Sequence, residues 1–268
     1  MNVLHAARLR GEALLAGTMP AAYRAILRTR GRSSAMKVVL AGLVRRGDVV
    51  FDVGANQGIF TALMSNLAGR DGRVHAFEPS PETCRLLRAT LEARARTPAN
   101  VVINAMAAGA EDGTAMLHTP QRDHGQASLM THDTGSWSDG AAVQSSQIVI
   151  TRLDTYVVAQ RPARIDVVKM DVEGAELPAL RGFAAGLRQF HPIVACELCG
   201  AWTHAFDYEP SAVIGELKSA GYTAFHLVND RGDLRRLTDL RELNDGESRD
   251  LVASAGGKHA ERILRLLP

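Results

Sequence analysis

The 268 residues are 46% hydrophobic and 22% charged, enough to bury a large core and too mixed a composition for a disordered chain. No apolar run nears the ~20 residues that cross a bilayer, which excludes a membrane-spanning protein, and three cysteines, Cys84, Cys196 and Cys199, exclude a disulfide scaffold and fit a reducing cytoplasm. The net charge of +2 hides an asymmetry: residues 1–47 hold nine Lys or Arg against one acid, Glu12, a formal +8 that leaves −6 for the remainder.

That first segment reads as a basic helical arm, residues 1–47, ahead of a main domain, 48–268. It carries Leu4, Leu9, Leu14, Leu15, Tyr23, Ile26 and Leu27 at irregular helical spacing, with a break at 17–20. Its arginines come without an unbroken apolar h-region or a small-residue cleavage site, so no secretory signal is expected. A basic arm on an acidic body attracts phosphate-rich partners or anionic membranes, or docks on its own body; the last is the preferred reading, because arginines of an amphipathic helix usually occupy its solvated face. A second helix is capped by Ser33 or Ser34, carries Met36, Val39, Leu40, Leu43 and Val44, and stops at Gly47.

From there strands and helices alternate. Short β-branched runs at 49–53, 73–77, 101–104, 165–170 and 193–197 read as buried strands, and helical stretches at 58–68, 81–95, 175–190 and 211–220 lie between and after them. Repeated βα units predict an α/β fold with a mostly parallel sheet covered on both faces. Residues 119–147 break the rhythm, being rich in Gly, Ser, Thr, Asp, His and Gln without helical or strand period, and are expected to form an inserted, lid-like loop.

The strongest local signal is Val49-Val50-Phe51-Asp52-Val53-Gly54-Ala55-Asn56-Gln57-Gly58, a strand entering a glycine turn ahead of a helix. Glycines there allow a sharp turn and close approach of a nucleotide, and the helix start offers unpaired N–H groups. The spacing is not G-x-G-x-x-G, and Asp52 at the strand end disfavours a pyrophosphate, so a nicotinamide oxidoreductase is disfavoured. Glu78 ends the next strand about 20 residues beyond the turn, where a carboxylate accepts ribose hydroxyls.

On these residues the sequence resembles the class I S-adenosylmethionine-dependent methyltransferases and, within them, the FkbM type. The matching stretches are Phe51-Asp-Val-Gly-Ala-Asn-Gln-Gly58, Ala76-Phe-Glu-Pro79, Leu153-Asp154 ahead of a helix, and Val168-Lys-Met-Asp171-Val-Glu173-Gly-Ala-Glu176 followed by Leu180-Arg-Gly182, spanning residues 48–230. The resemblance implies a Rossmann-like, seven-stranded, mostly parallel sheet. It implies S-adenosyl-L-methionine as cofactor and S-adenosyl-L-homocysteine as product, held by Asp52, Gly54, Asn56 and Gly58, with Glu78 on the ribose. The adenine is then expected near Asn104, Ala105 and Met106. The implied reaction is O-methylation of a hydroxyl on a sugar, glycan or secondary metabolite in a bacterial cytoplasm.

Asp171, Glu173 and Glu176 crowd the end of a strand and the first turn of the next helix, where the helix dipole accounts for at least Glu176. Asp171 stands at the C-terminal edge of a parallel sheet, where ligands bind, and Glu197 closes the neighbouring strand, so the two carboxylates are expected to meet. Such a pair shares a proton or chelates a divalent ion; the metal is not favoured, because Mg²⁺ prefers six oxygen ligands. A zinc site from His191, Cys196, Cys199 and His204 is rejected, since a strand alternates its faces. An alcohol must lose its proton during attack, and Asp171 is the first choice of base, followed by Glu173, Glu197, His204 and His124. His204, Trp202 and Tyr208 are expected to form a substrate wall. A nucleic-acid methyltransferase is disfavoured because no aromatic residues interleave the arginines of the arm. A non-catalytic cofactor-binding module is the non-enzymatic alternative, and the arm offers a surface for a homo-oligomer.

Overall fold

The computed structural model describes residues 3–94, 98–121, 124–132, 137, 142–244 and 246–268. Three helices open the chain: α1 (Val3–Thr18), α2 (Pro20–Arg28) and α3 (Ala35–Leu43). Then come β1 (Val49–Val53), α4 (Ile59–Ala68), β2 (Arg73–Phe77), α5 (Pro81–Arg94) and β3 (Val101–Asn104). They are followed by β4 (Ala107–Ala108), β5 (Gly113–Pro120), β6 (Val143–Thr151), α6 (Leu153–Gln160), β7 (Val167–Met170), α7 (Glu176–Arg181) and α8 (Ala184–Phe190). The chain ends with β8 (Ile193–Leu198), α9 (Gly200–Thr203), α10 (Ser211–Ser219), β9 (Ala224–Val228), β10 (Leu234–Arg236), β11 (Arg249–Ser254) and α11 (Ala260–Leu264).

The main sheet runs β3-β2-β1-β7-β8-β11-β9-β10. From β3 to β8 the strands are parallel, whereas β11 runs antiparallel to both of its neighbours. The sheet has eight strands rather than the expected seven, because β10 returns from β9 as an antiparallel hairpin. Strand order reverses on either side of β1, and crevices at such a switch point receive ligands.

Alternation along the strands sorts the core into two layers. Phe51, Val53, Val168, Met170, Val194 and Cys196 pack on one face against side chains of α6, α7, α8 and α10, such as Leu153, Leu180, Leu187 and Leu217. Val50, Val74 and Val167 meet Leu27, Val38, Leu40 and Met64 on the opposite face, and Ile193, Ala195 and Val252 meet Val39, Leu43 and Leu266 there. The N-terminal segment therefore covers one face of the sheet, with Val38, Val39, Leu40 and Leu43 fully buried. Arg28 pairs with Asp233 of the acidic body, and Arg30 pairs with Glu12 at 3.3 Å. No helix among the described residues is long and apolar enough to cross a membrane.

Three local expectations are corrected. Neither Ser33 nor Ser34 caps α3 through its side chain; a 3-10 turn, Arg32–Ser34, leads into that helix instead. The helix expected at 175–190 is two helices, because the chain comes so near Gly109 at Gly182 that a Cβ there would stand 1.9 Å from the Gly109 carbonyl oxygen. The Asp154 carboxylate then caps α8, accepting the N–H groups of Ala185 at 3.0 Å and Gly186 at 2.8 Å. Residues 119–147 are shorter as a loop than expected, since β5 extends to Pro120 and β6 starts at Val143, pairing from Gly113↔Ile150 to Pro120↔Val143. This hairpin belongs to a separate sheet ordered β4-β6-β5. Its foot is fixed by Asp112, whose carboxylate accepts from Arg152 N–H (2.7 Å), Thr151 Oγ1 (3.0 Å) and Thr155 Oγ1 (2.6 Å).

Candidate active site

The glycine turn follows β1 directly. Gly54 has φ +77°, and a Cβ there would stand 1.8 Å from the Asp171 carbonyl oxygen, so only glycine lets β1 and β7 end this close together. At Gly58, φ +82°, a built Cβ would stand 2.2 Å from Leu87 of α5, so packing also calls for glycine there. Asn56 has φ +47° and stabilises it locally by accepting the Gln57 N–H at 2.7 Å. Its own N–H donates to Glu78 Oε2 at 3.0 Å, while Ser80 N–H donates to Oε1 at 2.9 Å. Glu78 is buried, which pushes its carboxyl up despite these two bonds, and each oxygen keeps lone-pair capacity for another donor.

Beneath the turn lies a residue the sequence reading passed over. Lys169 of β7 is buried, and its Nζ donates to the Gly54 carbonyl at 2.8 Å and lies 3.4 Å from both Asp52 Oδ1 and Asp171 Oδ2. Burial alone would lower its pKa, but Asp171 and Asp52 outweigh burial and raise it, so the ammonium stays charged. Asp52 is fully buried and also accepts from Thr61 Oγ1 at 2.6 Å. Named above among the expected cofactor-binding residues, it pairs with Lys169 and does not line the cavity described below. The signal was present in the sequence: Asp52 and Lys169 are register partners in adjacent parallel strands, and Lys169 shares a strand face with Asp171 two residues on.

Carboxyl groups line the C-terminal edge beyond this lysine. Register pairs Met170 with Cys196 and Glu197 with Asp250, which sets Asp171, Glu197 and Asp250 in a row across β7, β8 and β11. Burial and then Asp171 push Glu197 up to about 7 and Asp250 to about 6. Glu197 also accepts from Ser248 Oγ. Glu173 sits at φ +50° on the turn after β7, and burial, then Asp171, Glu197 and Glu176, push it up to about 9. Glu176 folds back to accept the Val172 N–H at 3.0 Å, with the Tyr208 hydroxyl 3.3 Å from its other oxygen, so it closes the turn.

These shifts fix the sign of a pH effect. Glu173 keeps its proton to about pH 9 when folded but ionises near its ordinary 4.5 when unfolded, so stability falls as pH rises between those values. The unfolding midpoint of the free protein is expected to drop as pH is raised across that window, and Glu173→Gln to flatten the drop. An unchanged slope in the variant would assign it to other groups.

The two larger cavities share Asp171 as a wall. The first, about 100 Å³, is lined by Gly54, Asn56, Glu78, Asp171 and Glu173, and is roofed by residues 125 and 127–129 of the inserted segment. The second, about 550 Å³, holds Lys169, Glu197 and Asp250 on its floor. Asn104 and Ala105 line neither; the Asn104 amide donates to the Ala76 carbonyl at 3.1 Å, and Ala107 and Ala108 line the first cavity in their place. His204 lines neither as well, being exposed with Nε2 3.4 Å from Glu209 Oε1. Tyr208 turns inward, donating to the Gly174 carbonyl at 2.7 Å, so the expected substrate wall is reduced to Trp202, beside Glu173 and Glu197 in a small cleft. The His124 side chain lies outside the described residues. Among the described residues, no group of three or more His, Cys, Asp or Glu is arranged to hold a metal ion.

Residues 52–224 match the Methyltransferase FkbM domain. Among solved structures, methyltransferase FkbM from Methylobacillus flagellatus superposes with a TM-score of 0.51 at 17% identity, over 83% of this chain and 47% of that one. The chain thus spans about half the length of that relative. Aeropyrum pernix fibrillarin, solved with natively bound S-adenosyl-L-methionine, gives a TM-score of 0.44 at 16% identity, covering 79% of this chain and 68% of that one. Precorrin-6y C5,15-methyltransferase from Geobacter metallireducens gives 0.44 at 14% identity, covering 81% and 87%. No curated protein matches the chain. The domain match takes in the glycine turn, Glu78, Lys169 and the acids from Asp171 to Glu197, and on that match the chain belongs to the FkbM methyltransferase family.

Proposed function

We propose that the protein methylates a hydroxyl oxygen of a small molecule or glycan, using S-adenosyl-L-methionine and releasing S-adenosyl-L-homocysteine. The observation that carries this reading is the first cavity, in which the Glu78 carboxylate and the Gly54–Asn56 turn meet Asp171 and Glu173 at the sheet edge. Its chemistry suits the donor: Glu78 has lone-pair capacity left for ribose hydroxyls, the acids favour a sulfonium, and Ala107, Ala108 and Leu117 offer an apolar seat for adenine. When bound, the donor supplies an electrophilic methyl group.

In this reading Asp171 takes the proton of the acceptor hydroxyl as its oxygen forms the bond to that methyl and the carbon–sulfur bond breaks. Lys169 holds the Asp171 carboxylate in position at 3.4 Å. Glu197, whose carboxyl is pushed up to about 7, is the neighbouring group along the sheet edge that can receive the abstracted proton. Most of the remaining acceleration comes from alignment of the two reacting groups. Pairing of Arg28 and Arg30 within the chain leans away from a nucleic-acid substrate.

Calorimetry tests the reading: S-adenosyl-L-methionine and S-adenosyl-L-homocysteine are expected to bind and NAD not to, and a preference for NAD would overturn it. Glu78→Gln is expected to weaken donor binding by about 1–3 kcal/mol through loss of charged-acceptor hydrogen bonds.

The inserted segment 119–147 is assigned as a lid on the same grounds. Ser128 Oγ donates to the Glu173 carbonyl at 2.9 Å, and the roofed cavity is smaller than the ~300–1,000 Å³ usual for such ligands, so donor entry requires these residues to retreat. Protease cleavage within 119–147 is expected to slow when S-adenosyl-L-homocysteine is added. Equal rates with and without it would make the segment a passive insertion.

A further inference from the structure

A further cavity, about 40 Å³, shares no residue with the two at the sheet edge. It lies where the N-terminal helices pack on α4 and α5. Glu12 of α1, Tyr23 of α2 and Lys37 of α3 reach it from the arm, with Arg30 from the turn between α2 and α3, and Asn66 of α4 and Arg94 of α5 line it from the body. The Asn66 amide donates to the Arg94 carbonyl at 3.0 Å, which fixes the end of α5 against α4 and brings Arg94 to the cavity wall.

The charges around this cavity do not balance. Three cations, Arg30, Lys37 and Arg94, line it against one carboxylate, Glu12, and Arg30 already pairs with that carboxylate at 3.3 Å. The Lys37 and Arg94 side chains have neither a hydrogen bond nor an ion pair among the described residues. Position explains Arg94, which ends α5 where the helix dipole favours a cation. It does not explain Lys37, which is half-buried in the first turn of α3, where the dipole opposes it. Burial lowers the Lys37 pKa, Arg94 lowers it further, and Glu12 does not offset the two. A cation held in this way costs folding free energy unless an anion joins it.

The hydrogen-bonding groups point to the kind of anion. Lys37 and Arg94 offer donors only, and the buried Tyr23 hydroxyl, which burial and Glu12 keep protonated, adds another. Several donors around a small space match a group with several anionic oxygens, and the planar fork of an arginine pairs with phosphate through two parallel bonds. The volume is about three times what one water needs, so an oxyanion enters while any larger body attached to it stays outside.

We propose that this cavity is an oxyanion site, which takes one phosphate group between Lys37 and Arg94 and so ties the N-terminal arm to the body. The same chemistry serves a free phosphate ion, the phosphate of a soluble metabolite and that of a lipid headgroup. Glu12 competes with the phosphate for Arg30 and limits its affinity.

Calorimetry on the full chain tests the site, with sodium phosphate against sodium chloride at equal ionic strength. Phosphate is expected to bind once per chain and chloride not to bind. Lys37→Met is expected to weaken phosphate by about tenfold or more, the loss of a hydrogen bond between charged groups, and Arg94→Gln to weaken it in the same sense. Glu12→Gln is expected to tighten it several-fold, because Arg30 is released and a like charge is gone. Opposite changes at neighbouring residues are not what general damage to the arm produces. Phosphate should also raise the thermal unfolding midpoint of the parent but not that of Lys37→Met, a measurement that reports at the same time whether the variant is folded. Co-sedimentation with phosphatidic acid vesicles, and not with phosphatidylcholine vesicles, assigns the group to a lipid; phosphate binding without co-sedimentation assigns it to a soluble compound. The proposal is overturned if phosphate does not bind, if chloride binds equally, if phosphate affinity survives both Lys37→Met and Arg94→Gln, or if Glu12→Gln weakens it.

Discussion

Replacing Asp171 by asparagine is expected to lower turnover by about 10²- to 10⁴-fold while leaving donor affinity within a few-fold, because a general base acts in the transition state rather than in donor binding. The substitution keeps the shape of the side chain and removes its charge. Asp171 is singled out among the acids because it alone of Asp171, Glu173 and Glu197 lines both larger cavities. Glu197→Gln should cost less and should move the pH profile of kcat, since burial and Asp171 push the Glu197 carboxyl up to about 7. With an acceptor in hand, near-parent turnover in Asp171→Asn would pass the role of base to Glu197. Rescue of the parent but not of the variant by Mg²⁺ after chelation would recast Asp171 as a metal ligand.

The largest effect on stability is expected at Lys169. Lys169→Met leaves the fully buried Asp52 without its cation and Asp171 without its positioning partner. Removing one member of a buried ion pair typically costs about 3–5 kcal/mol, a large share of the ~5–15 kcal/mol that holds a domain folded. Urea unfolding should show the loss. The double variant Lys169→Met, Asp52→Asn should recover most of it, because the uncompensated charge is gone. A double variant as unstable as the single would mean that Lys169 acts through its bond to the Gly54 carbonyl instead.

Much of this site could be read from the chain before any coordinates. The run from Phe51 to Gly58, Glu78 and the acids after Met170 each sit where a buried strand ends, and strands covered on both faces announce themselves as unbroken apolar runs. Lys169 escaped because it stands inside such a run and reads as an interruption, although its register with Asp52 and its shared face with Asp171 follow from strand periodicity. The hairpin β5–β6 escaped for the opposite reason. Its residues 143–147 are mostly polar, and one face of that small sheet is solvated, so the apolar alternation is weak. Asn104, Ala105 and His204 were placed by position along the chain, which says little about where a side chain turns after a strand has ended. The second cavity had no local signature, since its walls come from residues 32–36, 229–235 and 248–250, and only the completed sheet brings them together.

The foot of the β5–β6 hairpin has a consequence for engineering. Asp112 ties Thr151, Arg152 and Thr155 to one another, and Gly109 lies against Gly182, so the hairpin leaves the body at a fixed place and in a fixed direction. Beyond the strands, Ser128 bonds the Glu173 carbonyl and the His132 ring meets that of Trp202 edge-on. A unit rooted at one end and joined to the C-terminal sheet edge at the other can be exchanged for a longer or shorter one without re-registering the main sheet, because extending an already closed loop costs only about 0.6 kcal/mol per doubling. Chimeras joined at Asp112 and Thr151 should keep the body folded while changing which molecules gain entry.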